Sequence, residues 1–378
     1  MRVIGTAEDL PEADRADGAP HPRFTPKVIG HERAEAAFLE AYATGRLHHA
    51  WLITGPPGIG KATLAWRIAR FLLTTPASVG GRLFGDAPEP PSTLDPGPER
   101  SPLSRIEALS EPALYLLRRS YDPKTSKLRG VITVDEVRGL KNFFALSRPD
   151  GGRRVVLIDS ADDMNVNAAN ALLKQLEEPP KDTVFLLVSH MPAGLLPTIR
   201  SRCRVLPCTR LGPDQVAEAL SLLLPDEPPE ARTALAQLSD GSPGAALRVH
   251  AHDGVALGAE IDALLGSMPG ADRMRAVALA TKLAGRDADE ERQLFLDLLE
   301  RALAGLARQG VLGTDGADSG PQARLAPDAA AGRVWAAAHQ GEPARVRRGL
   351  AVNLDPQTLI LDMVLRIDKL AGECAARR

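Results

Sequence analysis

The stretch Trp51-Leu-Ile-Thr-Gly-Pro-Pro-Gly-Ile-Gly-Lys-Ala-Thr-Leu64 decides how the chain folds. Trp51-Leu52-Ile53 reads as a buried strand, and Leu64, Ala65, Ile68 and Ala69 then recur at the spacing of one helix face. Between them, Gly55, Gly58 and Gly60 let the backbone turn tightly enough for its N–H groups to converge on phosphate oxygens. The amino terminus of the following helix adds positive potential, and Lys61 would reach the terminal phosphates. This is the layout of a phosphate-binding P-loop. Its next position, where a Ser or Thr hydroxyl ordinarily ligands magnesium, holds Ala62. Thr63 is no simple replacement, because one helical step turns the side chain by about 100 degrees. Phosphate binding through Gly55, Gly58, Gly60 and Lys61, with Thr63 beside them, is expected; magnesium chemistry is weakened.

Outward from the loop, strands alternate with helices. Val155–Ile158 and Val184–Val188 read as buried strands, Asp135–Leu146 as a helix, and Pro26–Arg46 as a helix with Ala34, Ala37, Phe38 and Ala41 on one face. The alternation predicts an α/β domain built on a parallel sheet with helices on both sides. Arg153-Arg-Val-Val-Leu-Ile-Asp159 ends its strand on an acid, the place where P-loop ATPases hold magnesium. A glutamate that orients the attacking water often follows; here Ser160 does, and Asp162 and Asp163 read as surface acids. Phosphoryl transfer depends on positioning and charge stabilisation, so the absence of a hydroxyl at 62 and an acid at 160 predicts turnover lower by orders of magnitude.

With 378 residues, 44% of them apolar, the chain has room for two or three domains. A net charge of -2 carries no global polyelectrolyte signal, so any nucleic-acid contact must come from a local patch. Cys203, Cys208 and Cys374 form neither a disulfide framework nor a zinc set. No run is apolar enough for a membrane span, and Glu8, Asp9, Glu12, Asp14 and Asp17 make the amino terminus too acidic for a signal peptide; a cytoplasmic protein without membrane contact is expected. Residues 1–24 read as a flexible tail, 25–208 as the P-loop domain with a proline-rich insertion at 74–112, 209–249 as a small helical lid, and 250–378 as an all-α domain. In the last, Phe295, Leu298, Leu299, Ala302, Leu303 and Leu306 form one apolar stripe, and Ile360, Met363, Val364, Ile367 and Ala371 form another after an Asp355-Pro356 start signal. Gly310–Pro327 between them reads as a polar loop.

Asn167-Ala-Ala-Asn-Ala-Leu-Leu-Lys-Gln-Leu-Glu-Glu-Pro-Pro180, then Thr183–His190, then Pro197-Thr-Ile-Arg-Ser-Arg-Cys203, together with His49-Ala50 ahead of the P-loop, closely resemble the clamp-loader branch of AAA+ proteins. The resemblance covers about Pro26–Leu247. It implies a P-loop AAA+ domain, a helical lid and a carboxy-terminal helical collar for oligomerisation. Active loader ATPases carry a Ser/Thr after the lysine, an Asp-Glu pair at the strand end and an arginine in a Gly-Ser-x-Arg lid motif; here stand Ala62, Asp159-Ser160 and Gly241-Ser242-Pro243-Gly244. The arginine of Ser-Arg-Cys, matched by Arg202, is implied to reach a neighbouring subunit's ATP site; a local ion pair is its other reading, and Arg200 the near alternative. Whether its own pocket holds ATP stays open: Lys61 and the glycines, with Asp159 as a further candidate, argue for some binding, and the losses at 62, 160 and 244 argue against turnover.

The resemblance also implies partners: the gamma/tau and delta subunits of DNA polymerase III, the sliding clamp, and primer-template DNA. Many bacterial relatives carry a four-cysteine zinc module between the P-loop helix and the next strand, whereas Thr74–Gly130 holds no cysteine, so no zinc is expected. From Arg118 to Arg154 ten basic residues stand against four acids. Arg138 and Lys141 in this stretch are candidates for phosphate contact, with a solvated basic face as the alternative. Two other functions stay open: a self-sufficient ATPase motor, in which Thr63 and Asp162 replace the missing groups, and a nucleotide-regulated adaptor outside replication.

Overall fold

The computed structural model describes residues 11–16, 18–25, 27–45, 47–75, 91–95, 101–145, 152–313 and 324–376. Much of the proline-rich insertion, the first ten residues of the tail, and Arg148 lie outside them. The chain divides into two compact units, Met1–Leu247 and Arg248–Arg378.

In the first unit the order is α1 (Glu32–Ala43), β1 (Ala50–Thr54), α2 (Lys61–Thr74), α3 (Ser101–Glu107), β2 (Leu114–Leu117), a hairpin of β3 (Tyr121–Asp122) and β4 (Lys127–Leu128), α4 (Val134–Ala145), β5 (Arg154–Ile158), α5 (Val166–Glu177), β6 (Thr183–Ser189), α6 (Pro197–Arg200) and β7 (Arg204–Pro207). Three helices follow: α7 (Pro213–Leu223), α8 (Pro229–Leu238) and α9 (Pro243–Ala251). Five strands form one parallel sheet in the order β2-β5-β6-β1-β7. β1 lies against β6, with Thr54 opposite Ser189, and against β7, with Trp51 opposite Arg204.

Strand side chains alternate between the two faces. Leu52, Val156, Ile158, Phe185 and Leu187 pack with Val137, Leu140 and Phe143 of α4 and Ala168, Leu172 and Leu176 of α5. On α2, Leu64, Trp66, Ile68, Phe71 and Leu72 are all buried, each contributing about 1.5–3 kcal/mol. This is why the helix behind the P-loop is apolar on most of its circumference: it is clamped in the core, and Lys61 at its first residue is fixed with it.

The second unit is all helical: α10 (Gly254–Gly266), α11 (Arg273–Leu283), α12 (Asp289–Leu312), α13 (Ala329–Ala351) and α14 (Pro356–Ala375). Phe295, Leu298, Leu299, Leu303 and Leu306 are buried on α12, as are Ile360, Met363, Val364, Ile367 and Ala371 on α14. Asp355 caps α14 by accepting from the Thr358 N–H at 2.8 Å. Gly310–Leu312 is helical, where a loop was expected from the sequence. The glycine is there for packing: a Cβ on Gly310 would lie 2.7 Å from the Gly332 Cα of α13. No helix among the described residues is long and apolar enough to cross a membrane.

Candidate functional site

The P-loop joins β1 to α2 at the carboxyl end of the sheet. Gly55 and Gly58 have φ of +146° and +73°, conformations that L side chains rarely adopt. Both are also crowded: a Cβ would lie 2.4 Å from the Cys208 carbonyl oxygen at Gly55, and 2.5 Å from Ser242 Oγ at Gly58. Gly60, at φ +99°, forms the amino-terminal cap of α2.

Lys61 is 2% exposed, and its Nζ donates to the Gly55 carbonyl at 2.6 Å and to that of Pro56. Burial lowers its pKa to about 8, against the opposing pull of Cys208, Asp159 and Asp162. Asp159 is also buried. Desolvation first, then the Asp14 carboxylate, raise its pKa to about 8, while Lys61 pulls it down. Burial thus favours the protonated form of the Asp159 carboxyl. With no hydroxyl at Ala62, the residues present suit a nucleotide's phosphates better than its metal.

A cavity of about 320 Å³ opens beside the loop, lined by Gly58, Gly60, Lys61, Ala62, Thr63 and Asp159 on one side. Residues ahead of α1, including Asp14, Val28 and Ile29, and the lid residues Leu222, Gly244 and Leu247 complete it. The structure thus brings together the nucleotide-site residues expected from the sequence, apart from Gly55, which shapes the loop from behind. Among the described residues no group of His, Cys, Asp or Glu is arranged to hold a metal ion.

The lid is tied directly to the loop. Ser242 Oγ donates to the Pro57 carbonyl at 3.0 Å, and the Gly244 N–H donates to the Gly58 carbonyl at 2.9 Å. A Cβ on Gly244 would meet the Gly58 Cα at 2.9 Å. Glycine at 244 thus permits a main-chain contact that a side chain would block.

Two residues have roles here that the sequence did not indicate: His31, which gave no signal, and Asp162, which read as a surface acid and is instead held in hydrogen bonds. His31, 3% exposed at the start of α1, holds the Ile59 carbonyl with its Nε2 at 2.7 Å; burial keeps this ring's pKa below its ordinary value. Asp162 accepts from Ser189 Oγ at 2.8 Å, from the Met191 N–H at 3.2 Å and from the His190 N–H. It is the anchor of the turn after β6, and Asp163 pairs with Arg119 at 3.1 Å.

Arg202 lies elsewhere. It precedes β7, whose Arg204 is opposite Trp51, so at least about 10 Å of strand separates it from the loop after Thr54. Its guanidinium pairs with Glu177 at 2.8 Å and donates to the Thr198 carbonyl at 3.1 Å, the local ion pair that was its other reading from the sequence. Arg200 is exposed. In the basic stretch, Arg118 and Arg119 are spent on internal pairs with Glu12, Asp14 and Asp163. Lys124, Lys127 and Arg129 on the β3–β4 hairpin, and Arg138 and Lys141 on α4, are exposed, Arg138 within reach of Asp135 at 3.0 Å.

A parallel sheet in this order, a P-loop after β1, an acid following β5 and a helical lid bonded to the loop make this an α/β P-loop domain with a helical lid. Within it, residues 91–211 match the family model described as DNA polymerase III, delta subunit. The chain is a relative of DNA polymerase III delta' subunits. It is 43% identical over 204 residues to that of Pseudomonas aeruginosa, covering 53% of this chain and 56% of that one. To that of Escherichia coli it is 34% identical over 215 residues, covering 56% and 58%. The gamma/tau subunit of Mycobacterium tuberculosis is 28% identical over 207 residues, covering 53% of this chain and 31% of that one. The matches thus span less than two thirds of these relatives' own lengths.

Proposed function

We propose that the chain is the delta' subunit of a DNA polymerase III clamp loader, which helps place the sliding clamp on primed DNA. Its own site binds ATP without turning it over, and Arg202 completes the ATP site of a neighbouring subunit. The observation that carries this is the separation of the two halves of an ATPase centre. The loop and its cavity are at the carboxyl end of the sheet, while Arg202 is at the amino end and outside the cavity. An arginine so placed cannot serve its own loop but is free to serve another subunit's after exchanging Glu177 for phosphate. A guanidinium supplied in trans contributes roughly 10³–10⁵ in rate. The helical second unit is the collar, packing with the gamma/tau and delta subunits, and α4 faces the primer-template DNA.

In its own cavity the loop N–H groups and Lys61 would hold the phosphates, and the apolar wall of Val28, Ile29, Leu222 and Leu247 the base. Against a motor reading stands Asp162: its oxygens are committed to the turn after β6 and are not free to replace the acid missing at 160.

The test is the ATPase rate of a loader reconstituted with the wild-type chain or with Arg202→Ala, beside the isolated chain. A silent isolated chain and a loss of two or more orders of magnitude in the Arg202→Ala loader are expected. ATP hydrolysis by the isolated chain, with the mutant loader unaffected, would instead establish a motor.

A further inference from the structure

Ile59 stands in the P-loop between two glycines of positive φ, Gly58 at +73° and Gly60 at +99°. Backbone so permissive does little by itself to hold a peptide plane in one orientation. A trans peptide is planar, with its C=O and the following N–H pointing in opposite directions, so whatever fixes the Ile59 carbonyl also aims the Gly60 N–H. His31 fixes it. Its Nε2 is 2.7 Å from that carbonyl oxygen, and because a carbonyl only accepts, Nε2 carries the hydrogen. Ile59 and Gly60 line the cavity and His31 does not, so a carbonyl held toward His31 turns the Gly60 N–H to the cavity side. Among the described residues no protein acceptor meets that N–H.

The support behind this contact is rigid. His31 caps α1, its own carbonyl accepts from the Glu35 N–H at 3.0 Å, and the residue is buried. A Cβ on Gly60 would lie 3.6 Å from Nε2, so the ring sits directly against the turn it holds. Burial disfavours the charged ring, and the neutral ring has a single N–H to give. We propose that His31 is a positioning residue for the phosphate cradle, holding the Ile59–Gly60 peptide so that its N–H is aimed at the inner phosphates of a nucleotide. Backbone N–H groups of this turn are what grip those phosphates in a P-loop. Without the His31 bond the carbonyl loses its partner, and the peptide is free to turn over between the two glycines and take the N–H out of the cradle.

This rests on the reading of the cavity as a nucleotide site. The test is equilibrium titration of the purified full-length chain with ADP and with inorganic pyrophosphate, in the wild type, His31→Leu, His31→Asn and His31→Gln. Leucine removes the donor, asparagine falls one bond short of the carbonyl while suiting a helix cap, and glutamine sets an amide N–H at about the reach of Nε2. His31→Leu and His31→Asn are expected to weaken both ligands on the order of tenfold, and His31→Gln to restore both. Pyrophosphate has no base, so equal losses on the two ligands place the effect at the cradle and not at the apolar wall. Wild-type affinities in His31→Leu and His31→Asn, a loss confined to ADP, or no restoration by His31→Gln overturns the role of His31 and leaves the nucleotide site standing. His31→Asn decides this even if His31→Leu does not fold. A wild-type chain that binds neither ligand overturns the site and this proposal together.

Discussion

Asp159 and Lys61 face one buried cavity wall, and their proton affinities have been drawn to nearly the same value. The consequences for stability have opposite signs. Unfolded, Asp159 loses its proton near its ordinary 3.8; folded, it does so at about 8. Between those values the folded chain holds the extra proton, so its stability falls as pH rises. Lys61, lowered from 10.5 to about 8, releases its proton earlier in the folded chain, so stability recovers across that higher window. Asp159→Asn is expected to flatten the decline on the acid side, whose steepness is at most about 1.4 kcal/mol per pH unit. Denaturant titrations across that window check it, and an unaltered slope would mean that Asp159 is ionised in the fold. At this scale the loop was legible because glycine spacing and one lysine are a local code. Gly244 was legible only as a missing arginine; that its bare Cα is needed against Gly58 depends on a contact between residues far apart in sequence. His31 was not legible, since a buried histidine looks like any other until the carbonyl it holds is known.

Among the elements, those with one strong apolar face were readable. The stripes of α12 and α14 are buried as spaced except for the half-buried Ala302, and α4 carries Val137, Leu140 and Phe143 inward with Arg138 and Lys141 outward. β7 was not readable because only Leu206 of its four residues is buried, which leaves no alternation to find. α13 was hidden by Gly332, Gly341, Pro343 and Gly349, ordinarily breakers, inside a helix running from Ala329 to Ala351. The basic stretch shows the limit of counting charge along a chain. Arg118 and Arg119 at its start are turned to internal pairing, and the exposed charge is divided between a hairpin and a helix. If α4 meets phosphates in the assembled loader, Arg138→Glu with Lys141→Glu should weaken DNA binding and reduce the slope of log affinity against log salt by about 0.9 for each phosphate that is no longer neutralised. Affinity and slope that match the wild type would identify a merely solvated face.

For the molecule as a whole, the class of fold could be read from one loop and the alternation around it. Zinc is a test at this scale. The protein purified without added metal is expected to carry far less than one zinc per chain, and a stoichiometric content by elemental analysis would sink the expectation drawn from the cysteine-free span Thr74–Gly130. The direct bonds from Ser242 and Gly244 to the loop have a larger consequence. A lid that grips a phosphate through an arginine learns, by losing that grip, when the phosphate has gone. Here the lid holds main chain instead, Ser242 on Pro57 and Gly244 on Gly58, and these two bonds need no phosphate in order to form. Such a subunit would keep one shape through every turn of its neighbours' cycle, the fixed member against which their movements become work.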